Sequence, residues 1–180
     1  ANLQMAPVAG SACVRLSRAE TAADMDASHA VFSNMYFVGG GLTGIGIEDV
    51  GGCGNVLVTN CQFQSIADAA IKGISTGIAV PLGWTIQDCK FQQNLNDIKM
   101  SLSYASILRN RFMTAGSGAT NKVISTTAVA VQGGNNHVLL NQFTNTEAQI
   151  APGNGYTGAA SDTWMNYVND QAALAFGQPA

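Results

Sequence analysis

An aliphatic-x-x-Cys/Asn-x-Phe pattern recurs along this 180-residue chain, a glycine-marked join precedes most copies, and only 11% of residues are charged while Gly reaches 20. Together these observations predict an all-β chain, a right-handed parallel β-helix of about five short coils with capping segments at both ends. A length of 180 residues is enough for one domain with a real core, so a single domain is expected. Short strands and many turns suit a mix of Gly with Asn, Gln, Ser and Thr.

Residues 1–28 lie before the repeats and are read as a cap or assembly segment. Ser17-Arg18-Ala19-Glu20-Thr21-Ala22-Ala23-Asp24 suits a short helix there, because the open apolar end of a β-helix needs a cover.

The repeats occupy residues 29–150. A loose first copy is Phe32-Ser33-Asn34-Met35-Tyr36-Phe37. Four closer ones follow: Val58-Thr59-Asn60-Cys61-Gln62-Phe63, Ile86-Gln87-Asp88-Cys89-Lys90-Phe91, Ile107-Leu108-Arg109-Asn110-Arg111-Phe112 and Val138-Leu139-Leu140-Asn141-Gln142-Phe143. Their Phe residues are 26, 28, 21 and 31 positions apart. At about 3.3 Å per residue that is room for three short strands and three turns per coil. The aliphatic residue and the Phe should face inward, with Gln62, Lys90, Arg111 and Gln142 outward one position before Phe63, Phe91, Phe112 and Phe143. Cys61, Cys89, Asn110 and Asn141 should then form an internal ladder at about 4.8 Å per step, amides hydrogen-bonding along it and thiols filling the space of small apolar groups.

A further strand is expected seven or eight residues after each Phe, at Ile45, Ile71, Ile98 and Ile150. In the longest interval, Thr114 to Asn121 reads as an outward loop that delays its counterpart to Val129-Ala130-Val131. Gly51-Gly52, Gly83 and Gly133-Gly134 supply the joins before the next copy. Residues 151–180, with Tyr156, Trp164 and Tyr167, are read as a second cap or an inter-subunit segment.

Composition and motifs exclude several classes of function. A net charge of −3 and no basic run argue against nucleic acid as a partner. No apolar stretch approaches the roughly 20 residues that span a bilayer, so no membrane insertion is expected. The start, Ala1-Asn2-Leu3-Gln4, has no signal-peptide character and fits a processed product or a fragment. Cys13, Cys53, Cys61 and Cys89 have no zinc spacing, and His29 and His137 belong to no triad or metal motif, so neither a metal nor another cofactor is expected.

The repeat resembles the pectate-lyase-like β-helices of bacteriophage tailspikes and related polysaccharide-degrading enzymes, over roughly residues 29–150. Gly153-Asn154-Gly155-Tyr156 and Trp164-Met165-Asn166-Tyr167 look like the closing segments of phage spikes. The resemblance implies a homotrimeric virion protein, a spike, fibre segment or capsid decoration, assembled in the host cytoplasm beside other virion proteins and possessing grooves for bacterial surface glycans. It also implies reduced thiols, although Cys61 and Cys89 on adjacent coils fall within disulfide range.

The competing expectation is a polysaccharide depolymerase with its site in an inter-subunit groove. Glycoside hydrolysis needs two carboxylates about 5–9.5 Å apart. Asp88 and Asp97, expected on a coil wall, are the weak catalytic candidates, each weighed against a plain solvated carboxylate. Adjacent Glu48 and Asp49 face opposite sides and cannot pair. A lyase would draw its base from Lys99, Arg109 or Arg111. For glycan binding the candidates are Arg109 and Arg111, as outward cations able to meet an acidic sugar, and Trp84 and Tyr104, as stacking surfaces, though a buried or interface aromatic is the commoner role. A stack of about five coils is about 24 Å tall, short for a depolymerase, so assembly and adhesion are expected ahead of catalysis.

Overall fold

The computed structural model describes residues 3–6, 10–16, 29–39, 44–73, 81–100, 102–113, 124–125, 135–143, 156–157 and 163–168. Every regular element among them is a strand, and every pairing between named strands is parallel. The chain adds one strand to each of three walls in turn and then returns to the first, one tier further on.

The first wall holds β3 (Val31–Ser33), β6 (Leu57–Thr59), β9 (Thr85–Gln87) and β12 (Ser106–Leu108). The second holds β1 (Leu3–Met5), β4 (Met35–Val38), β7 (Gln62–Gln64), β10 (Lys90–Gln92) and β13 (Arg111–Met113). Both walls run into the long β15 (His137–Phe143), which joins them as one 11-stranded sheet, and β17 (Thr163–Val168) pairs along β15. A separate six-stranded sheet forms the third wall from β2 (Ser11–Leu16), β5 (Gly44–Asp49), β8 (Ala69–Gly73), β11 (Ile98–Lys99), β14 (Ile124–Ser125) and β16 (Tyr156–Thr157).

Two sequence expectations are corrected here. The hexapeptide is a corner between two walls rather than one straight strand, and β15 runs through that corner in the last copy: Asn34, Asn60, Asp88, Arg109 and Leu140 all have φ between 52° and 59°. This left-handed residue reverses the alternation, so the aliphatic residue, the Cys or Asn three later and the Phe five later can all face inward. In the long interval, Ile124 of β14 is the partner of Ile98, not a residue of Val129–Val131. Val129–Val131, the Thr114–Asn121 loop, the Ser17–Asp24 helix and Ile150 lie outside the described residues. Of the stretches expected to cap the stack, β1 and β2 pair into the sheets at one end, and β16 and β17 at the other.

In-register pairing stacks like on like. Phe37, Phe63, Phe91, Phe112 and Phe143 are at most 1% exposed and form one column with ring centroids 4.7–5.0 Å apart. The tier spacing of about 4.8 Å sets that separation, which lies within the range of favourable aromatic pairs. Phe32, Val58, Ile86, Ile107 and Val138 stack beside it as a second column, and Ile47, Ile71 and Ile98 as a third.

The corner after each left-handed residue carries the ladder. Asn110 Oδ1 accepts the backbone N–H of Cys89 at 2.9 Å, and its Nδ2 donates to Ile86 O at 2.9 Å, one tier back. Asn141 repeats this with the N–H of Asn110 at 2.8 Å and Ile107 O at 2.9 Å. An amide-to-amide bond, Asn110 Nδ2 to Asn141 Oδ1 at 3.0 Å, links the two.

The thiols do more than fill space. Cys89 Sγ accepts the Cys61 N–H at 3.4 Å and donates to Val58 O at 3.6 Å, the same pair of roles in weaker form. All four cysteines are free, and the hydrogen bond with the neighbouring Cys61 thiol, together with burial, pushes the Cys89 thiol well up. Other corners use the same device: Asn94 accepts from Ile66 N at 3.0 Å, and Asn136 from Ala105 N at 2.9 Å.

Truncating a ladder amide strands a buried donor and acceptor on the previous tier. Asn110→Ala is therefore expected to lower the unfolding free energy by on the order of 2–4 kcal/mol, and Asn110→Cys by clearly less, because sulfur can take both roles. Urea unfolding of the two variants checks this; equal losses would contradict a hydrogen-bonding role for the thiols.

Candidate functional site

Because strand side chains alternate, the residue before each inward Phe faces out. Strand register links these residues into one outward row along the second wall: Gln4, Tyr36, Gln62, Lys90, Arg111, Gln142. Beside it runs the row of left-handed corner residues, Asn34, Asn60, Asp88, Arg109 and Leu140, all exposed. Three of these five are Asn or Asp, the side chains that best tolerate that conformation.

The two rows border a groove of about 440 Å³ lined by Gln4, Asn34, Tyr36, Asn60, Gln62, Asp88 and Lys90, with Met35 and Cys61 alongside. Its polar groups are tied to one another. Asn60 Nδ2 donates to Asn34 Oδ1, Tyr36 OH donates to Gln64 Oε1, and Gln62 Nε2 reaches the same Oε1 at 3.4 Å. Side-chain amides carry donors and acceptors together, so such a lining can pair with the hydroxyls of a polyhydroxylated ligand.

The structure separates the residues proposed for catalysis. Asp88 is exposed at the corner and held by Arg109 through two hydrogen bonds, Nε to Oδ1 at 2.8 Å and Nη2 to Oδ2 at 2.7 Å. The guanidinium keeps the Asp88 carboxyl below the usual carboxylate range, the wrong direction for a general acid.

Asp97, expected on a wall, is instead 0% exposed in the interior. Consecutive N–H groups of Ala70 and Ile71 donate to the carbonyls of Asn96 and Asp97, so the backbone bends there and alternation lapses: Asp97 and Ile98 are both fully buried. Asp97 Oδ1 accepts from Asn94 Nδ2 at 2.8 Å, while Oδ2 has no hydrogen-bond partner among the described residues. Burial pushes its pKa up to about 8. Asp88 therefore faces solvent at one corner while Asp97 faces the interior at another, and the two cannot share a substrate.

Trp84 is likewise a correction. It is 0% exposed, with Nε1 donating to Cys53 O at 2.6 Å, and offers no face to a sugar. Tyr104 is 67% exposed but stands at the other margin of the first wall, a left-handed corner residue in line with Asn55, Gly83 and Asn135. Arg109 is engaged by Asp88, which leaves Arg111 the open cation of the two expected. Glu48 pairs with Arg15 at 2.8 Å, while Asp49 accepts the N–H groups of Gly51 and Cys53 at 3.0 and 2.9 Å. Lys90, Asn34, Asn60 and Tyr36 were not singled out as binding residues from the sequence, although the position before Phe91 already marked Lys90 as outward. Among the described residues no three His, Cys, Asp or Glu side chains converge as a metal site.

Asp97 has a measurable consequence. It keeps its proton in the folded protein up to about pH 8 but ionises near pH 4 when unfolded, so stability should be greatest below about pH 4 on this account and fall as pH rises to about 8. The accumulated cost is on the order of 4–6 kcal/mol. Asp97→Asn should remove most of that slope and stabilise the protein at neutral pH; parallel stability profiles for the two proteins between about pH 4 and 8 would contradict it.

Comparison with known proteins finds no matching family model, no matching curated sequence and no matching solved structure.

Proposed function

We propose that this chain belongs to a phage virion protein, a homotrimeric spike, fibre segment or capsid decoration whose outer groove binds a bacterial surface glycan without cleaving it. The three-walled stack is then a right-handed parallel β-helix with capping segments at both ends, assembled with other virion proteins in the host cytoplasm. One observation carries the adhesion reading: a continuous outward row of polar side chains, in register from Gln4 to Gln142, beside a groove lined by amides.

Repetition suits a polymer. Each tier presents the same outward position about 4.8 Å further along, so a ligand with its own repeat meets a series of similar contacts rather than one pocket. The two acids that glycoside hydrolysis would have to recruit do not converge, which favours binding over turnover. Trimer formation would bury apolar side chains now exposed, among them Val31 at 62% and Leu140 at 43%.

The test is retention of the chain on a panel of capsular polysaccharides and lipopolysaccharides, with a reducing-end assay on the same samples. Gln62→Ala combined with Asn60→Ala is expected to weaken binding about tenfold or more, at roughly 1 kcal/mol per hydrogen bond, with no release of reducing ends. Turnover abolished by Asp88→Asn would replace adhesion by depolymerase activity. Sedimentation at micromolar concentration is expected to give a trimer, and a monomer would remove that part of the proposal.

A further inference from the structure

The polar row is not uniform in charge. Its first three members, Gln4, Tyr36 and Gln62, are neutral; then come Lys90 and Arg111, and then Gln142. Lys90 and Arg111 are direct register partners on β10 and β13, which sets two cations side by side about one strand spacing apart. Like charges directly opposite on neighbouring strands repel.

Nothing among the described residues relieves them. Asp88 is the acid in the adjacent corner row, and both its oxygens are held by Arg109, so that row neutralises itself. Neither Lys90 nor Arg111 makes a side-chain hydrogen bond or ion pair among the described residues, in a chain whose net charge is −3. Lys90 is half-buried in the groove wall and Arg111 is exposed one tier beyond it.

We infer that the groove takes an anionic glycan, with Lys90 and Arg111 holding a carboxylate or phosphate group of the polymer while the neutral end of the groove meets its hydroxyls. The inference rests on the glycan-binding reading above. An anion between the two side chains offsets their repulsion and supplies what each lacks: the Arg111 guanidinium presents a fork of donors matched to two oxygens, and the Lys90 ammonium a compact charge. The groove then has a direction. Uncharged sugar lies toward Gln4 and Asn34, and the acidic residue of the repeat lies against the tiers of β10 and β13.

The experiment uses the full chain and three polymers: polygalacturonate, poly(glycerol phosphate) and dextran. The wild type is expected to prefer an acidic polymer to dextran, and whichever acidic polymer it prefers identifies the anion as carboxylate or phosphate. Lys90→Gln combined with Arg111→Gln should weaken acidic-polymer binding about 10- to 100-fold and abolish the preference for acidic polymer over dextran. Both side chains lie on the outer face, and circular dichroism of the double variant verifies its fold. If the double variant binds acidic polymer as the wild type does, or if the wild type holds dextran equally well, the inference falls while the glycan reading stands. If no polymer is retained, both fall.

Discussion

Parallel pairing in register obliges each side chain to sit over the equivalent residue of the preceding tier, about 4.8 Å away, and the rest of this protein follows from that repetition. A residue at an inward position must tolerate a copy of itself above and below. Phe does so by stacking ring on ring. Asn does so by accepting an N–H and donating to a carbonyl of the tier before, which satisfies backbone groups that a left-handed corner has turned away from the sheet. Cysteine at the same position has one weak donor and one weak acceptor in nearly the same places, and this accounts for its exchange with Asn.

On the outer face the same repetition acts with opposite sign. Amides in a row can bond to one another, as Asn34 and Asn60 do, but cations in a row repel. The corner row resolves this by alternating sign at Asp88 and Arg109. The wall row does not, and Lys90 with Arg111 leaves an electrostatic imbalance at the end of a groove otherwise built of neutral polar groups. Within the core, Asp97 is the corresponding exception: a carboxyl in a bend where two successive residues face inward, with one oxygen bonded to Asn94 and the other to none of the described residues. Both exceptions cost the fold stability that other side chains would not, and they point in different directions, one to a ligand and one to pH.

The repeat was legible in the sequence because stacking leaves a trace at every tier. The five Phe positions, the ladder at Cys61, Cys89, Asn110 and Asn141 and the outward position before each Phe can be aligned by eye, and all occupy the faces expected of them. Even the corner had a trace. Inward residues at the first, fourth and sixth positions of the hexapeptide cannot share one face of a straight strand, so some residue between the first two must reverse the alternation.

What only the tertiary structure decided was set by contacts between residues far apart in the chain, or by local bends with no compositional mark. Trp84 is open to two readings, a sugar platform or the commoner core residue, until its ring is found buried with Nε1 on Cys53 O. Asp97 reads as a wall residue until two consecutive hydrogen bonds reveal a bend beneath it. Arg109 and Arg111 are two residues apart and alike in type, yet the tiers bring Asp88 to the first and only Lys90 and Gln142, neither of them acidic, to the second. The sequence by itself determined which side chains repeat and therefore which face the core, because periodic burial is a local property of the chain. Side-chain partners, and with them the charge balance of the outer face, depended on which tiers came to lie side by side.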